Sequence, residues 1–573
     1  MHRCFILLSL AALCLLSNTH AAQSKLSQPI IRYDSIHRDI EGHYGMVVSQ
    51  NALSTHVGHD ILAKGGNAVD AAVAVGFALA VTLPRAGNLG GSGFMLVHLA
   101  EKNETIALDY RSIAPPSRPE SKNRNESGDI RWEQLTFGAN ASGVPGTVAG
   151  LHYAWKKYGS LKWSELVEPA IALAEQGITV WPDLSFALAQ AKDVLGSYPS
   201  SSKTYLKPDK SVWQPGELLK QPDLAWSLKQ IQEQGADAFY RGALARKIVA
   251  AYASHDNHFS LEDLASYEVK ERATVETMYR GHRVVSMPPS SAGGITLLQM
   301  LNMLEQFNVR ELGAGTAKHL HLLSEVMKRA AANRRTHVGD PDFVDVKITP
   351  YISKLVAKDM AKSISLTNAT DVKAVAPVDF EQYESRDTTH YSIVDKQGNA
   401  VSNTYTIGYS FGSGFVADGT GILFDNQLRN FYVSNGAAGL NAYHPGKRMI
   451  STMTPTMVFK PDGRLHLVTG TPGGSRIINA VLQVIVNMID FDMSVSDATN
   501  QPRIHQGWNS ATLHYEPGIS EDTLQILRTM GHKIRLQKSM ASTQSIHLAD
   551  DRYYGSADPR RPNALAKGVL KLN

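Results

Sequence analysis

Hydrophobic positions along the chain follow two periods, and the balance between them shifts from front to back. Ile61-Leu62-Ala63 and the run from Ala68 to Val75 are apolar on every side and rich in alanine. A segment apolar all round belongs to a buried helix, so residues 56–84 are predicted largely helical and closely packed. Asp70 lies inside that stretch, and a buried carboxylate needs hydrogen-bond partners. Residues 95–98 and 106–110 read as strands, the second ending at Arg111. Residues 142–150 open a helix that runs to about 158, and more helices follow through 253. Ser260-Leu261-Glu262-Asp263 is a capping box. A turn at 287–294 leads into a helix over 295–307. Another helix covers 325–335, closed by Gly339-Asp340-Pro341. The back part is richer in strands: 421–424, then 456–460 and 465–469 around the turn Pro461-Asp462-Gly463. Gly470 to Arg476 then runs straight into a helix over 477–488, and Ser520 caps a helix ending near Gly531. No internal repeat and no low-complexity linker interrupts the chain, so the front part reads as one interwoven helical layer with strands.

One change of pattern stands out. Residues 367–386 contain Asn368, Pro377 and Ser385, show no helical period and read as loop. Immediately after them, Thr388-Thr389-His390-Tyr391-Ser392-Ile393-Val394-Asp395 reads as a strand. Gln397-Gly398-Asn399 reads as a turn, and residues 400–407 as the returning strand. A threonine pair opening a strand directly after a pliable segment marks a candidate cut site between Asp387 and Thr388. Cutting there gives Thr388 a free α-amine beside its hydroxyl. A threonine hydroxyl is a weak nucleophile that needs a base. An α-amine titrates at roughly 7.7–8.0, close to working pH, so one residue then carries both groups. By itself this stretch fits an ordinary hairpin with a threonine-rich edge better, since threonine is a common strand residue.

Composition narrows the class. The 573 residues suffice for two or more domains or one large fused core. Net charge is only +4, which gives no support to nucleic-acid binding or a polybasic membrane patch. His2-Arg3, the apolar run 4–16 and Thr19-His20-Ala21 have the form of an export signal over residues 1–24, too short for a comfortable membrane span. Both cysteines, Cys4 and Cys14, fall inside it. The exported chain then has no disulfide and no thiol nucleophile, which suits a bacterial periplasm or secretion. The histidines show no metal spacing, and His319-Leu320-His321 reads as one surface and one core residue of a helix. No motif calls for a cofactor.

Other glycine motifs compete. Ala86 to Phe94 fits neither phosphate-binding pattern and reads as a tight turn. Gly408-Tyr409-Ser410-Phe411-Gly412 matches a nucleophile elbow, but an elbow needs a helix after its serine and Gly412-Ser413-Gly414 follows. Gly473-Gly474 at a helix start presents bare N–H groups, either as a turn or as an oxyanion hole. Arg111 at a strand end serves either a surface ion pair or a carboxylate clamp.

Taken together, Gly65-Gly66-Asn67-Ala68-Val69-Asp70-Ala71-Ala72, Gly87-Asn88-Leu89-Gly90-Gly91, the Thr388 start, Asn426-Gln427, Pro472-Gly473-Gly474-Ser475-Arg476, Ser542-Thr543-Gln544 and Asp558-Pro559-Arg560 resemble the γ-glutamyltransferase family of N-terminal nucleophile hydrolases. The resemblance covers nearly the whole chain. It implies an α+β fold, a four-layer αββα sandwich, and a precursor that cuts itself before Thr388. Residues 25–387 and 388–573 would then be a large and a small catalytic subunit that remain together as a heterodimer. It also implies an acyltransferase and hydrolase of γ-glutamyl amides such as glutathione, with amino-acid acceptors. By position, Thr388 is the nucleophile and Thr406 orients it. The resemblance likewise implies that Gly473 and Gly474 form the oxyanion hole and that Arg111, Ser451 and Thr452 clamp the substrate α-carboxylate.

The family's partners for the substrate α-amine are Gln427, an asparagine two residues after the second threonine, and an acid three residues after the glutamine. Here the last two positions hold Gly408 and Asn430. Charge-assisted hydrogen bonds are worth roughly 1.5–3 kcal/mol each, so a weakened γ-glutamyl preference and acceptance of glutaryl amides is expected. Residues 432–447, where the family has a lid, look short. Alternatives are a glutaryl-type amidase on the same fold, and an exported binding protein that has lost catalysis.

Overall fold

The computed structural model describes residues 38–255, 259–375, 388–432, 439–507 and 511–572. The export signal and Asp387 lie outside these residues. Two seven-stranded antiparallel sheets form the centre. One runs in the order Leu565–Gly568, Gly45–Ser49, Thr389–Asp395, Ala400–Thr406, Ser92–Leu99, Glu104–Tyr110, Lys270–Arg272. The other runs Ile40–Gly42, Arg552–Ala557, Gln544–Ala549, Leu465–Thr469, Thr456–Phe459, His282–Ser286, Val275–Tyr279.

The period of two along these strands builds the layers. Met46 and Val48 join Phe94, Leu96, Met457, Val468 and Ile546 between the sheets. Val47, Met95, Val97, Tyr391 and Ile393 point the other way, onto the helices of the front part. Val284, Val458 and Leu467 meet a second helical layer that includes Gly293–Leu304, Ala317–His337 and Arg476–Ile489. Helix, sheet, sheet, helix is the αββα arrangement expected. Each buried Val, Leu, Ile or Phe side chain contributes about 1.5–3 kcal/mol over exposure.

Several expectations are corrected. The single helix over 56–84 is two, Ala52–Ala63 and Ala68–Thr82. Gly65, at φ +93°, lets the chain turn between them. Asn67 then caps the second helix in a box with Asp70. Asp70 also accepts from Ser160 Oγ and from the N–H groups of Ser160 and Leu161, so its partners are structural, as expected. The helix over 325–335 belongs to the longer Ala317–His337, capped by Thr316. Residues 421–424 form no ladder. Only isolated bridges, Leu423 to Val416 and Phe424 to Gly90, hold them, because Gly421 sits at φ +64° against the Leu224 backbone. Within the loop-like run before Thr388, Val372–Val375 is a short helix, and residues 376–386 lie outside the description.

Candidate active site

Sheet register assembles the site. Thr389 pairs with Tyr405, Thr406 with Ser92, and Gly93 with Tyr110. Extending each antiparallel ladder by one residue puts Thr388 opposite Thr406 and Ser92 opposite Arg111. Four adjacent strand ends therefore carry Thr388, Thr406, Ser92 and Arg111 in one row, at about 4.8 Å per strand. Each is buried.

Hydrogen bonds run along that row. Thr388 Oγ1 donates to Thr406 Oγ1 at 3.2 Å, and the Gly408 N–H donates to the same oxygen at 2.9 Å. Gln427 Nε2 donates to the Thr406 carbonyl at 3.0 Å. Ser92 Oγ donates to Gln427 Oε1 at 3.2 Å and accepts from Arg111 Nη1 at 3.4 Å. Arg111 also donates through Nε to the Met449 carbonyl and through Nη2 to the Ile450 carbonyl, at 3.2 and 3.3 Å. A guanidinium has five N–H groups. Three are taken, and the other two have no partner among the described residues, which suits a bidentate carboxylate. Burial lowers the Arg111 pKa to about 10, with Asp425 and Asp109 opposing that shift, so the group stays charged at neutral pH.

A strap then links Arg111 to the second sheet. From Met449 and Ile450 it passes through Ser451, whose N–H donates to the Ser290 carbonyl at 3.3 Å, to Thr452, whose Oγ1 donates to the Gly474 carbonyl at 2.9 Å. Gly473 and Gly474 lie at φ +135° and +60°. These are glycine conformations, and they leave both N–H groups without a protein acceptor among the described residues. The loop comes close to the hairpin: a Cβ on Gly470 would lie 2.3 Å from the His390 ring. His390 bridges Thr404 and Ser392 between the sheets, and burial holds its pKa down at about 3, so the ring is neutral.

Register and hydrogen bonds thus connect Thr388, Thr406, Gln427 and Arg111, and the strap through Ser451 and Thr452 leads on to Gly474, next to Gly473. Asn430 stands nearby, half-buried, with its carbonyl accepting from Asn441 Nδ2 at 2.8 Å and its side chain unbonded among the described residues. Gly408 lies at φ +95°, and a Cβ there would meet Asn426 Oδ1 at 2.1 Å. Ser410 sits in a turn with Phe411 and Gly412 both at positive φ and no helix following, so the elbow reading fails.

Two residues escape the sequence reading. Ser92 hides in a glycine-rich turn, and its place between Arg111 and Gln427 follows only from register. Asp425 is fully buried and accepts from Ser112, Gly143 and Gln427. Its one sequence signal is an acid interrupting the apolar stretch that ends at Phe424.

His319 and His321 are both buried, correcting the surface-and-core reading. Only tertiary folding brings His532 beside His321, at 2.8 Å, with Glu325 adjacent. Lys328 and Arg329 both bond the Glu325 carboxylate. Its lone pairs are thereby committed to an ion-pair anchor between the helix and residues 363–370.

Known proteins resemble the chain over nearly its whole length. The gamma-glutamyltranspeptidase family model matches residues 54–568. A glutathione hydrolase proenzyme of Escherichia coli (strain K12) is 42% identical over 545 residues, covering 93% of each chain. An acylase ACY 1 proenzyme of Pseudomonas sp. (strain SE83) is 36% identical over 500 residues, 86% of this chain and 88% of that one. The crystal structure of a cephalosporin acylase from Bacillus halodurans superposes with a TM-score of 0.84 at 27% identity, covering 95% of this chain and 99% of that one. With the family model matched across residues 54–568 and a relative 42% identical over 93% of each chain, the chain belongs to the gamma-glutamyltranspeptidase family.

Proposed function

We propose that the protein is an exported, self-processing enzyme that cleaves γ-glutamyl amides such as glutathione and passes the acyl group to water or to an amino acid. The observation that carries this is the Thr388–Thr406 hydroxyl contact in a row that ends at the two open N–H groups of Arg111. Cleavage before Thr388 frees its α-amine, leaving residues 25–387 and 388–573 as two fragments of one heterodimeric unit. Export of residues 25–573 to the periplasm or medium follows from the signal-like start. Among the described residues no helix is long and apolar enough to cross a membrane.

The reaction then runs in two steps. Thr388 Oγ1 attacks the γ-carbonyl carbon while the α-amine takes the hydroxyl proton. Negative charge collects on the carbonyl oxygen, and the Gly473 and Gly474 N–H groups stabilise it, each such donor being worth about 10²–10³ in rate. Collapse breaks the amide C–N bond, the α-amine returns its proton to the leaving nitrogen, and an ester on Thr388 remains. Water or an amino-acid amine attacks that ester by the same route. Arg111 holds the α-carboxylate, with Ser451 and Thr452 beside it, and Gln427 faces the α-ammonium.

A specific observation favours a second activity on the same site. Neither Gly408 nor Asn430 supplies a carboxylate, and the packing at Gly408 admits no side chain. Glutaryl amides, which lack only the ammonium, are therefore expected to be accepted comparatively well, in line with the acylase relative. A γ-glutamyl preference of several thousandfold would contradict this, because it exceeds the loss of one charge-assisted bond.

A denaturing gel with anilide turnover tests the main reading. Two fragments and release from γ-glutamyl anilide are expected of the wild type, and one inactive band of Thr388→Ala. A wild type that stays whole and inert while binding γ-glutamyl compounds would instead mark a binding protein.

A further inference from the structure

We propose that Asp425 is a positioning residue that locks the Gln427 side-chain amide with its oxygen towards the acyl pocket, making Gln427 the acceptor for the substrate α-ammonium. This rests on the γ-glutamyl reading above. The lock is read from the bonds around one buried carboxylate. Asp425 Oδ1 accepts from the N–H groups of Gly143 and Gln427, at 3.1 and 3.2 Å. Oδ2 accepts from Ser112 Oγ and, at 3.1 Å, from Gln427 Nε2. An ionised carboxylate can only accept. The Gln427 atom turned towards it must therefore be the nitrogen.

The second bond of that nitrogen agrees, since it goes to the Thr406 carbonyl, another obligate acceptor. Both contacts exclude the flipped amide. Oε1 is left on the other side, where Ser92 Oγ takes one of its two lone pairs and the second stays open. An amide oxygen is the end that suits an ammonium, and the flipped amide would repel it. Asp425 itself is fully occupied, so it acts through Gln427 and does not touch substrate.

Charge supports the same assignment. Asp425 and Arg111 are both wholly buried and oppose each other's pKa shifts. A zwitterionic acyl donor matches that pair, carboxylate to Arg111 and ammonium to the Gln427 oxygen backed by Asp425. This gives the chain an acid behind the ammonium, one step removed, where the acid three residues after Gln427 is missing. The charged and titratable groups facing Asp425 are Arg111 and the buried Tyr252 phenol. Burial pushes the Asp425 carboxyl up to about 6, against hydrogen bonds from Ser112 and Gln427 and the charge of Arg111.

The test compares kcat/KM for γ-glutamyl and glutaryl p-nitroanilides. In Asp425→Asn the γ-glutamyl value should fall about 10- to 100-fold more than the glutaryl value, the worth of one charge-assisted bond. A purely structural role would lower both values equally, and that result overturns the proposal. The wild type offers a check that needs no variant to fold. Its γ-glutamyl-to-glutaryl ratio should rise with pH through about 6 as Asp425 ionises, while titration of the Thr388 α-amine affects both substrates alike and cancels. A ratio flat between pH 5 and 8 overturns the proposal too. Wild-type turnover of neither anilide would overturn the underlying reading, and this inference with it.

Discussion

Arg111 and Gln427 stand on either side of Ser92, and on the proposed reading they meet opposite charges by different means. The carboxylate side has a full cation. Arg111 is held by two main-chain carbonyls and a hydroxyl, with two N–H groups open. The proposed ammonium side has no anion in direct reach among the described residues: an amide oxygen, a glycine at position 408 and an asparagine at 430. Among the described residues its one acid, Asp425, lies behind the amide. On that reading, direct contact should give affinity for every acyl donor that carries the carboxylate. Indirect contact should give a modest preference for those that also carry an ammonium.

The largest effect should come from breaking the shared side. Arg111→Ala removes two charge-assisted bonds of roughly 1.5–3 kcal/mol each, so kcat/KM should drop about 10²- to 10⁴-fold. Because γ-glutamyl and glutaryl donors share that carboxylate, steady-state kinetics should show both falling together with their ratio unchanged. A change in ratio would mean that the two sides are not separate.

A smaller effect should come from sharpening the other side. Asn430→Asp restores an acid where the family has one. The γ-glutamyl-to-glutaryl ratio should rise about 10- to 100-fold, mainly through a lower KM for the γ-glutamyl anilide. An unchanged ratio would place position 430 outside the pocket.

Gly408 should respond least, and chiefly in stability. Its φ of +95° and the 2.1 Å approach of Asn426 Oδ1 make any side chain there strained, at about 1–3 kcal/mol. Gly408→Asn should therefore lower the melting temperature without raising the ratio. A higher ratio at unchanged stability would show that the pocket can accept the asparagine after all.

The two sides also differ in how far they can be read from sequence. Thr388, the hairpin turn at Gly398 and the Gly473-Gly474 helix start carry local signals, namely a period-two run, turn residues and a glycine pair. Arg111 announces itself as the charge that ends a strand. Ser92 and Asp425 carry no such signal. One is placed by register between strands far apart in the chain, the other by burial against Ser112 and Gly143. Breaks inside apolar stretches are also hard to read. Two apolar runs, one ending at Ala63 and one from Ala68 to Thr82, read as a single helix across the Gly65 turn, and residues 421–424 have strand composition but meet the Leu224 backbone at Gly421.

The central claim is that Thr388 works as a free N-terminus. Sequencing the N-terminus of the smaller fragment of purified, active protein tests it most directly. The sequence Thr-Thr-His-Tyr-Ser, in an amount matching the active sites, is the predicted result. Full activity from a chain still joined through residues 387 and 388, or from fragments that begin elsewhere, would contradict it.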